Sequence, residues 1–230
     1  MTRQSRELKA PKSPNMQRFT ANSIALAAAL ACLLFLTGAG QQAPQRRIDF
    51  TPEQQAALDK VSAYLNGIHT LKSGFIQLGP QGQLDQGEFL LEKPGKLRFS
   101  YDAPNPTLVV ATGGKIYVKN NRLGTVENYD ISDVPLDLLV NDSVNLKVNK
   151  AITGIDVRDD ALVVHARTSS NRQQGNITLV FSNPQIELRQ WTVKDNQGGT
   201  TMVALHDPVT GVALDESLFD VPVKTPRKAP

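Results

Sequence analysis

The chain has a single cysteine, at position 32, inside its most apolar stretch. Beyond it there is no thiol, which excludes disulfides, cysteine-ligated metals and thiol catalysis from the rest of the chain. Histidine is nearly as scarce. His69, His165 and His206 stand far apart, and none has a second histidine at metal-ligand spacing. His165 falls mid-strand between Val163 and Arg167, and His206 precedes Asp207 at a strand end, so both read as structural or surface residues. There is no Gly-x-Ser-x-Gly elbow and no phosphate-binding glycine loop; Gly113-Gly114 is a hairpin signal. Asp85, Glu88 and Glu92 read as acids on a solvent-facing strand rather than as an acid/base pair. Asn176-Ile177-Thr178 fits a glycosylation sequon, which has meaning only in a eukaryotic secretory context. No residue can be assigned to catalysis, to a metal or to a cofactor, and the expectation is a protein that is not an enzyme.

One long apolar run is present, and no later one compares with it. Arg3, Arg6, Lys9, Lys12 and Arg18 face only Glu7; residues 24–36 are apolar; Thr37-Gly38-Ala39-Gly40 are small. Basic, apolar, small is the order of a secretory signal peptide. The run is shorter than the ~18–20 residues that span a bilayer, so residues 1–40 are expected to be cleaved near Gly40-Gln41. Cys32 sits mid-run, followed by Leu33-Leu34-Phe35-Leu36, and reads as a spare apolar residue rather than a lipidation site. Taking the leader's five bases and one acid from the chain's 25 and 22 leaves 20 bases against 21 acids. The basic excess therefore belongs to the leader, and nothing in the mature charge points to nucleic acid. The mature chain is expected to be a soluble periplasmic monomer.

Residues 41–50 read as a flexible lead-in, 51–223 as one domain and 224–230 as a basic tail. Thr51-Pro52-Glu53-Gln54 predicts a capped helix start, and Ala57, Val61, Tyr64, Leu65 and Ile68 form its apolar stripe. After Gly67 the period changes to two. Phe75 alternates with Ser73 and Gln77; Gly87, Phe89 and Leu91 share a face; Leu97, Phe99 and Tyr101 alternate with Lys96, Arg98 and Ser100 beyond a Lys93-Pro94-Gly95-Lys96 turn. Further strands are expected at 108–111, 116–118, 125–129, 155–157, 162–167, 176–181, 186–193, 200–205 and 219–223. Residues 132–140 break the alternation and predict a short helix carrying Leu136, Leu138 and Leu139, with Asp133 as its cap. About ten or eleven short strands, one leading helix and one helical insertion describe a mainly antiparallel β protein.

The stretch from Gly87 through Glu92-Lys93-Pro94-Gly95-Lys96 to Tyr101-Asp102-Ala103-Pro104, continued by Leu108 to Val118, resembles the central signature of the LolA family. The helix with Leu58-Asp59-Lys60-Val61 and the strand with Phe75-Ile76-Gln77 resemble it too, and the likeness is most specific from Phe75 to Tyr117. It implies an incomplete antiparallel β-barrel closed by a helical lid. It implies also a hydrophobic cavity that carries lipoprotein acyl chains from an inner-membrane ABC transporter to an outer-membrane receptor. On that likeness, Phe75, Phe89, Leu91, Leu97, Phe99, Tyr101, Ile116, Val118, Leu136 and Leu139 are expected to contact acyl chains. Lys93 and Arg98 are expected at the cavity mouth, toward headgroups or a partner; ordinary solvation of the hairpin is the other reading. Lys93 stands where the family often has arginine and keeps the charge without the guanidinium fork. Leu97 stands where an aromatic is common.

Leaving a sixteen-carbon chain in water costs on the order of 12 kcal/mol, so a shuttle needs a dry site that still releases its cargo. Two interiors remain open from the residues alone: a cavity under a movable lid, or apolar side chains packed on one another. Other roles on the same fold are an outer-membrane lipoprotein receptor anchored through Cys32, and a periplasmic lipid-binding or sensing module.

Overall fold

The structure is a computed structural model that describes residues 48–133, 137–167, 175–195 and 197–221. The leader, the tail, Leu136 and positions 222 and 223 lie outside the described residues. The leading helix is α1, Pro52–Gly67. Its capping box is formed as the sequence predicts: the Gln54 N–H donates to Thr51 Oγ1 at 3.2 Å, and the Thr51 N–H donates to Gln54 Oε1 at 3.0 Å. The buried stripe is Ala57, Leu58, Val61, Ser62 and Leu65.

Eleven strands follow. They are β1 (Thr70–Leu78), β2 (Leu84–Glu92), β3 (Lys96–Tyr101), β4 (Thr107–Thr112), β5 (Lys115–Asn120) and β6 (Thr125–Asp130), then β7 (Ile152–Val157), β8 (Ala161–Arg167), β9 (Asn176–Ser182), β10 (Leu188–Lys194) and β11 (Thr200–Thr210). Between β6 and β7 lies α2, Asp137–Val140, preceded by a 3-10 turn at Ile131–Asp133. The strands form one antiparallel sheet in the order β6-β5-β4-β3-β2-β1-β11-β10-β9-β8-β7. Its edges, β6 and β7, do not pair, so the barrel is incomplete.

The sheet is strongly curled. Phe99 on β3 and Trp191 on β10 are four strand steps apart, roughly 19 Å across a flat sheet. Their ring centroids lie 6.1 Å apart. Curling brings the inner faces of both halves onto one core, which α1 and α2 complete. Gly87 lies between Phe75 and Tyr101 in the ladder, and a β-carbon there would run into the Ser100 carbonyl oxygen. Its missing side chain leaves Phe75 and Tyr101 in edge contact at 5.2 Å.

The expected strand at 219–223 is corrected at its described start. Glu216–Phe219 is a 3-10 turn capped by Asp215, whose side chain accepts from the Ser217 N–H at 2.9 Å. Phe219 packs on the outer face of the sheet against Leu90 and Val110, where Lys96 Nζ also sits 5.7 Å from its ring centre. Ile186 lies before β10, and the strand expected to end at Leu205 runs on to Thr210.

Candidate functional site

The residues expected to contact acyl chains come together. Phe75, Phe89, Leu91, Leu97, Phe99, Ile116 and Leu139 are all buried in one apolar cluster, with Tyr101 and Val118 half-buried at its edge. Phe75 makes edge contacts with Phe99 at 5.1 Å and Tyr101 at 5.2 Å, and Phe89 lies 4.7 Å from Phe99 and 5.7 Å from Trp191. These side chains pack on one another and on the helices. None of these expected contact residues lines either of two pockets found among the described residues, one across the strands near Arg167 and one between α1 and the β7–β8 turn. Leu136, the remaining expected contact, lies outside the described residues. Trp191 belongs to the group and was not singled out from sequence, although it is the chain's one tryptophan and falls in an alternating strand.

At one end of the cluster, the Tyr101 hydroxyl donates to Gln77 Oε1 at 2.8 Å. Burial pushes this hydroxyl up to about 12; the Gln77 hydrogen bond works against the rise and the Asp85 charge adds to it. An unfolded tyrosine ionises near 10. This group's contribution to stability is therefore full below about pH 10 and is lost as pH rises toward about 12, because the unfolded chain gives up its proton first. Tyr101→Phe should fall off less steeply across that interval, as read from denaturant midpoints on either side of pH 10.

The opposite end is held by the turn between β2 and β3. Lys93 Nζ donates to the Leu65 carbonyl in the last turn of α1 at 2.7 Å, and the Lys93 N–H donates to the His69 carbonyl at 2.8 Å. Two residues on, the Gly95 N–H donates to the carbonyl of Val140, the last residue of α2, at 2.9 Å. One turn thus satisfies C-terminal carbonyls of both helices, groups that a helix leaves unpaired. The last turn of α1 has no basic residue of its own, so Lys93 supplies from another element the cation that a helix C-terminus favours. Burial pulls the Lys93 ammonium below the ordinary lysine range, and the Asp142 charge opposes this. Asn66 and Ser62 complete the arrangement. Asn66 Nδ2 donates to the Val144 carbonyl at 3.0 Å while its Oδ1 accepts the Val144 N–H at 2.8 Å, and Ser62 Oγ accepts the Leu146 N–H at 3.1 Å. The segment from α2 to Leu146 is therefore tied to α1 by polar bonds above the apolar cluster. Neither residue was found from sequence; the only local signal is a small polar side chain next to the apolar stripe.

Arg98 does not join Lys93. It alternates with Leu97 and Phe99 and so stands on the outer face, paired across the ladder with Leu90 and Val110. Its Nε is buried without a hydrogen-bond partner. An orphaned polar atom among apolar neighbours is a cost, so Arg98→Met should leave thermal stability unchanged or raise it by up to about 1 kcal/mol.

Among the described residues, no group of three His, Cys, Asp or Glu side chains could hold a metal, and no helix is long and apolar enough to cross a membrane. Residues 66–222 match the family model described as outer membrane lipoprotein carrier protein LolA. The chain belongs to the LolA family. Relatives named outer-membrane lipoprotein carrier protein include one from Pseudomonas paraeruginosa (strain DSM 24068 / PA7), 28% identical over 189 residues that cover 74% of this chain and 86% of that protein. Another, from Methylococcus capsulatus, is 25% identical over 174 residues, covering 70% and 80%. A solved LolA superfamily protein from Nitrosomonas europaea aligns at 8% identity over 73% of this chain and 98% of its own, with a TM-score of 0.41. The LolA family is a carrier family, and an unclosed antiparallel sheet with few helices is the architecture found here.

Proposed function

We propose that this protein is an exported periplasmic carrier that takes up lipoprotein acyl chains under α1 and α2 and shuttles lipoproteins from the inner to the outer membrane. The observation that carries this reading is the nature of the cover. A continuous apolar face on an unclosed sheet is roofed by helices that one turn, through Lys93 and Gly95, holds by their C-termini. Breaking a few polar bonds at that turn releases α2 and the end of α1, while α1 stays tied to the sheet through Gln54, which donates to the Ile155 carbonyl, and Tyr64, whose hydroxyl accepts the Leu188 N–H. Phe75, Phe89, Leu91, Leu97, Phe99 and Ile116 on the sheet, and Leu139 on α2, would then face hydrocarbon instead of one another, exchanging one apolar neighbour for another at little cost. Cargo reaches the carrier from an inner-membrane lipoprotein-releasing ABC transporter and leaves to an outer-membrane receptor, with residues 1–40 as the cleaved export signal. The relatives' names, outer-membrane lipoprotein carrier protein, support the same role.

The test is direct. Protein purified from the periplasm should bind a fluorescent fatty-acyl probe, and solvent extraction followed by mass spectrometry should identify co-purified acyl lipid. A protein that binds no acyl probe, or one whose mature N-terminus is an acylated Cys32, would overturn the soluble-carrier reading.

A further inference from the structure

The outer face of the sheet carries a concavity for which the acyl-carrier reading has no use. A groove of about 500 Å³ runs across β7 to β11. Ala166, Ile177 and Val193 take the core side of β8, β9 and β10, which turns their neighbours outward. The register then sets two rows side by side: Arg167, Asn176 and Lys194 in one, His165, Thr178 and Thr192 in the other. Arg167 and Lys194 are two strand steps apart, roughly 10 Å, so their long side chains can converge on one anion between them.

The chemistry of this groove differs from the rest of the sheet. Elsewhere Lys72, Lys96, Lys115 and Arg189 are paired with Glu88, Glu92, Asp130 and Glu187, while Arg98 and Lys119, which have no ion pair among the described residues, each stand singly between apolar ladder neighbours. Arg167 and Lys194 have no ion-pair partner among the described residues, and no carboxylate lines the groove. The acids nearby are engaged elsewhere. Asp156 lies 3.2 Å from His165 Nε2 and 3.7 Å from Arg158, while Asp195 Oδ1 accepts the N–H groups of Gln197 and Gly199. His165 Nδ1 is 3.3 Å from Thr178 Oγ1, and with Nε2 facing the accepting Asp156 carboxylate the Thr178 hydroxyl is turned toward the ring. Two unpaired cations, an amide and the Thr192 hydroxyl thus face one space.

We propose that this groove binds a phosphate-bearing group. Arg167 and Lys194 neutralise its charge, the first through its planar fork, and Asn176 and Thr192 complete its hydrogen bonds. The volume exceeds a bare phosphate and suits a small headgroup such as glycerophosphate. A free phosphorylated solute and an anionic lipid headgroup share this chemistry. The site is independent of what the interior carries.

Calorimetric titration with inorganic phosphate and with glycerol 3-phosphate tests it, beside co-sedimentation with vesicles of phosphatidylglycerol and of phosphatidylcholine. Glycerol 3-phosphate should bind saturably, and Arg167→Gln with Lys194→Gln should weaken it by about tenfold or more. Lys60→Gln with Lys119→Gln, the same loss of charge away from the groove, should leave it unchanged. Thr192→Val keeps every charge and should still weaken binding severalfold. Co-sedimentation with phosphatidylglycerol alone, lost in the groove variant, supports the site with a lipid headgroup as its ligand. Solute binding without vesicle binding supports it with a free phosphorylated ligand. No saturable binding by the wild type to any probe, or equal weakening in the Lys60 and Lys119 control, overturns the proposal.

Discussion

A protein carrying Leu139→Glu is expected to melt far below the wild type. Leu139 is 2% exposed and packs in the core with Leu138, Val140 and the α1 stripe. An unpaired carboxylate kept in that position costs several kcal/mol. The alternative is for α2 to swing out. That removes three apolar side chains from the core, each worth about 1.5–3 kcal/mol, and a four-residue helix cannot hold its shape without packing. By either route the loss is several kcal/mol, at least about 4. Leu139→Met conserves volume and should cost less than about 1.5 kcal/mol, which separates charge from shape. A lid that merely rests over a cavity would give the reverse, near-normal melting with acyl binding lost. The burial of Leu138 and Leu139 in the apolar core decides for the stability effect. A melting temperature within a degree or two of the wild type would show that α2 is not part of the core.

The strands were legible because alternation is a local property. From β1 to β11 most boundaries fall within a few residues of the change in period, and the Thr51–Gln54 capping box needs only four consecutive residues. Where local pattern misled, the cause is also local. Phe219, Val221 and Val223 alternate as a strand would, but Asp215 accepts the Ser217 N–H and bends the chain into a single turn. Long-range geometry was not legible. The contact of Trp191 with Phe89 and Phe99 depends on sheet curl, which no residue spacing encodes. Lys93 and Arg98 read as one basic pair beside a turn, yet alternation after Lys96 already assigns Arg98 to the outer face. What sequence could not supply is the partner of Lys93, a carbonyl 28 residues upstream.

That partner makes Lys93→Met the sharper test of how the cover opens. Methionine keeps most of the apolar stem and removes the donor, leaving the Leu65 carbonyl with only the Ile68 N–H at 3.4 Å. The charged hydrogen bond and its attraction to the end of α1 are offset in part by the desolvation that lowers the Lys93 ammonium, so the net loss is about 1–2 kcal/mol. The pH dependence has a definite sign. The folded state holds this proton less tightly than the unfolded chain, so the contribution of Lys93 to stability rises with pH between its lowered folded value and the ordinary lysine range. In Lys93→Met that rise is absent. The loss should also be local. Amide exchange should quicken in α2 and at the end of α1 while the β1, β2 and β11 ladder stays protected. If the turn is what holds the cover shut, a fluorescent acyl probe should enter Lys93→Met several times faster than the wild type. Lys93→Arg, which restores a cation with more donors, should return entry to the wild-type rate or below it. Faster exchange across the whole sheet, or an entry rate the same in all three proteins, would show that Lys93 supports the fold and does not govern access to its interior.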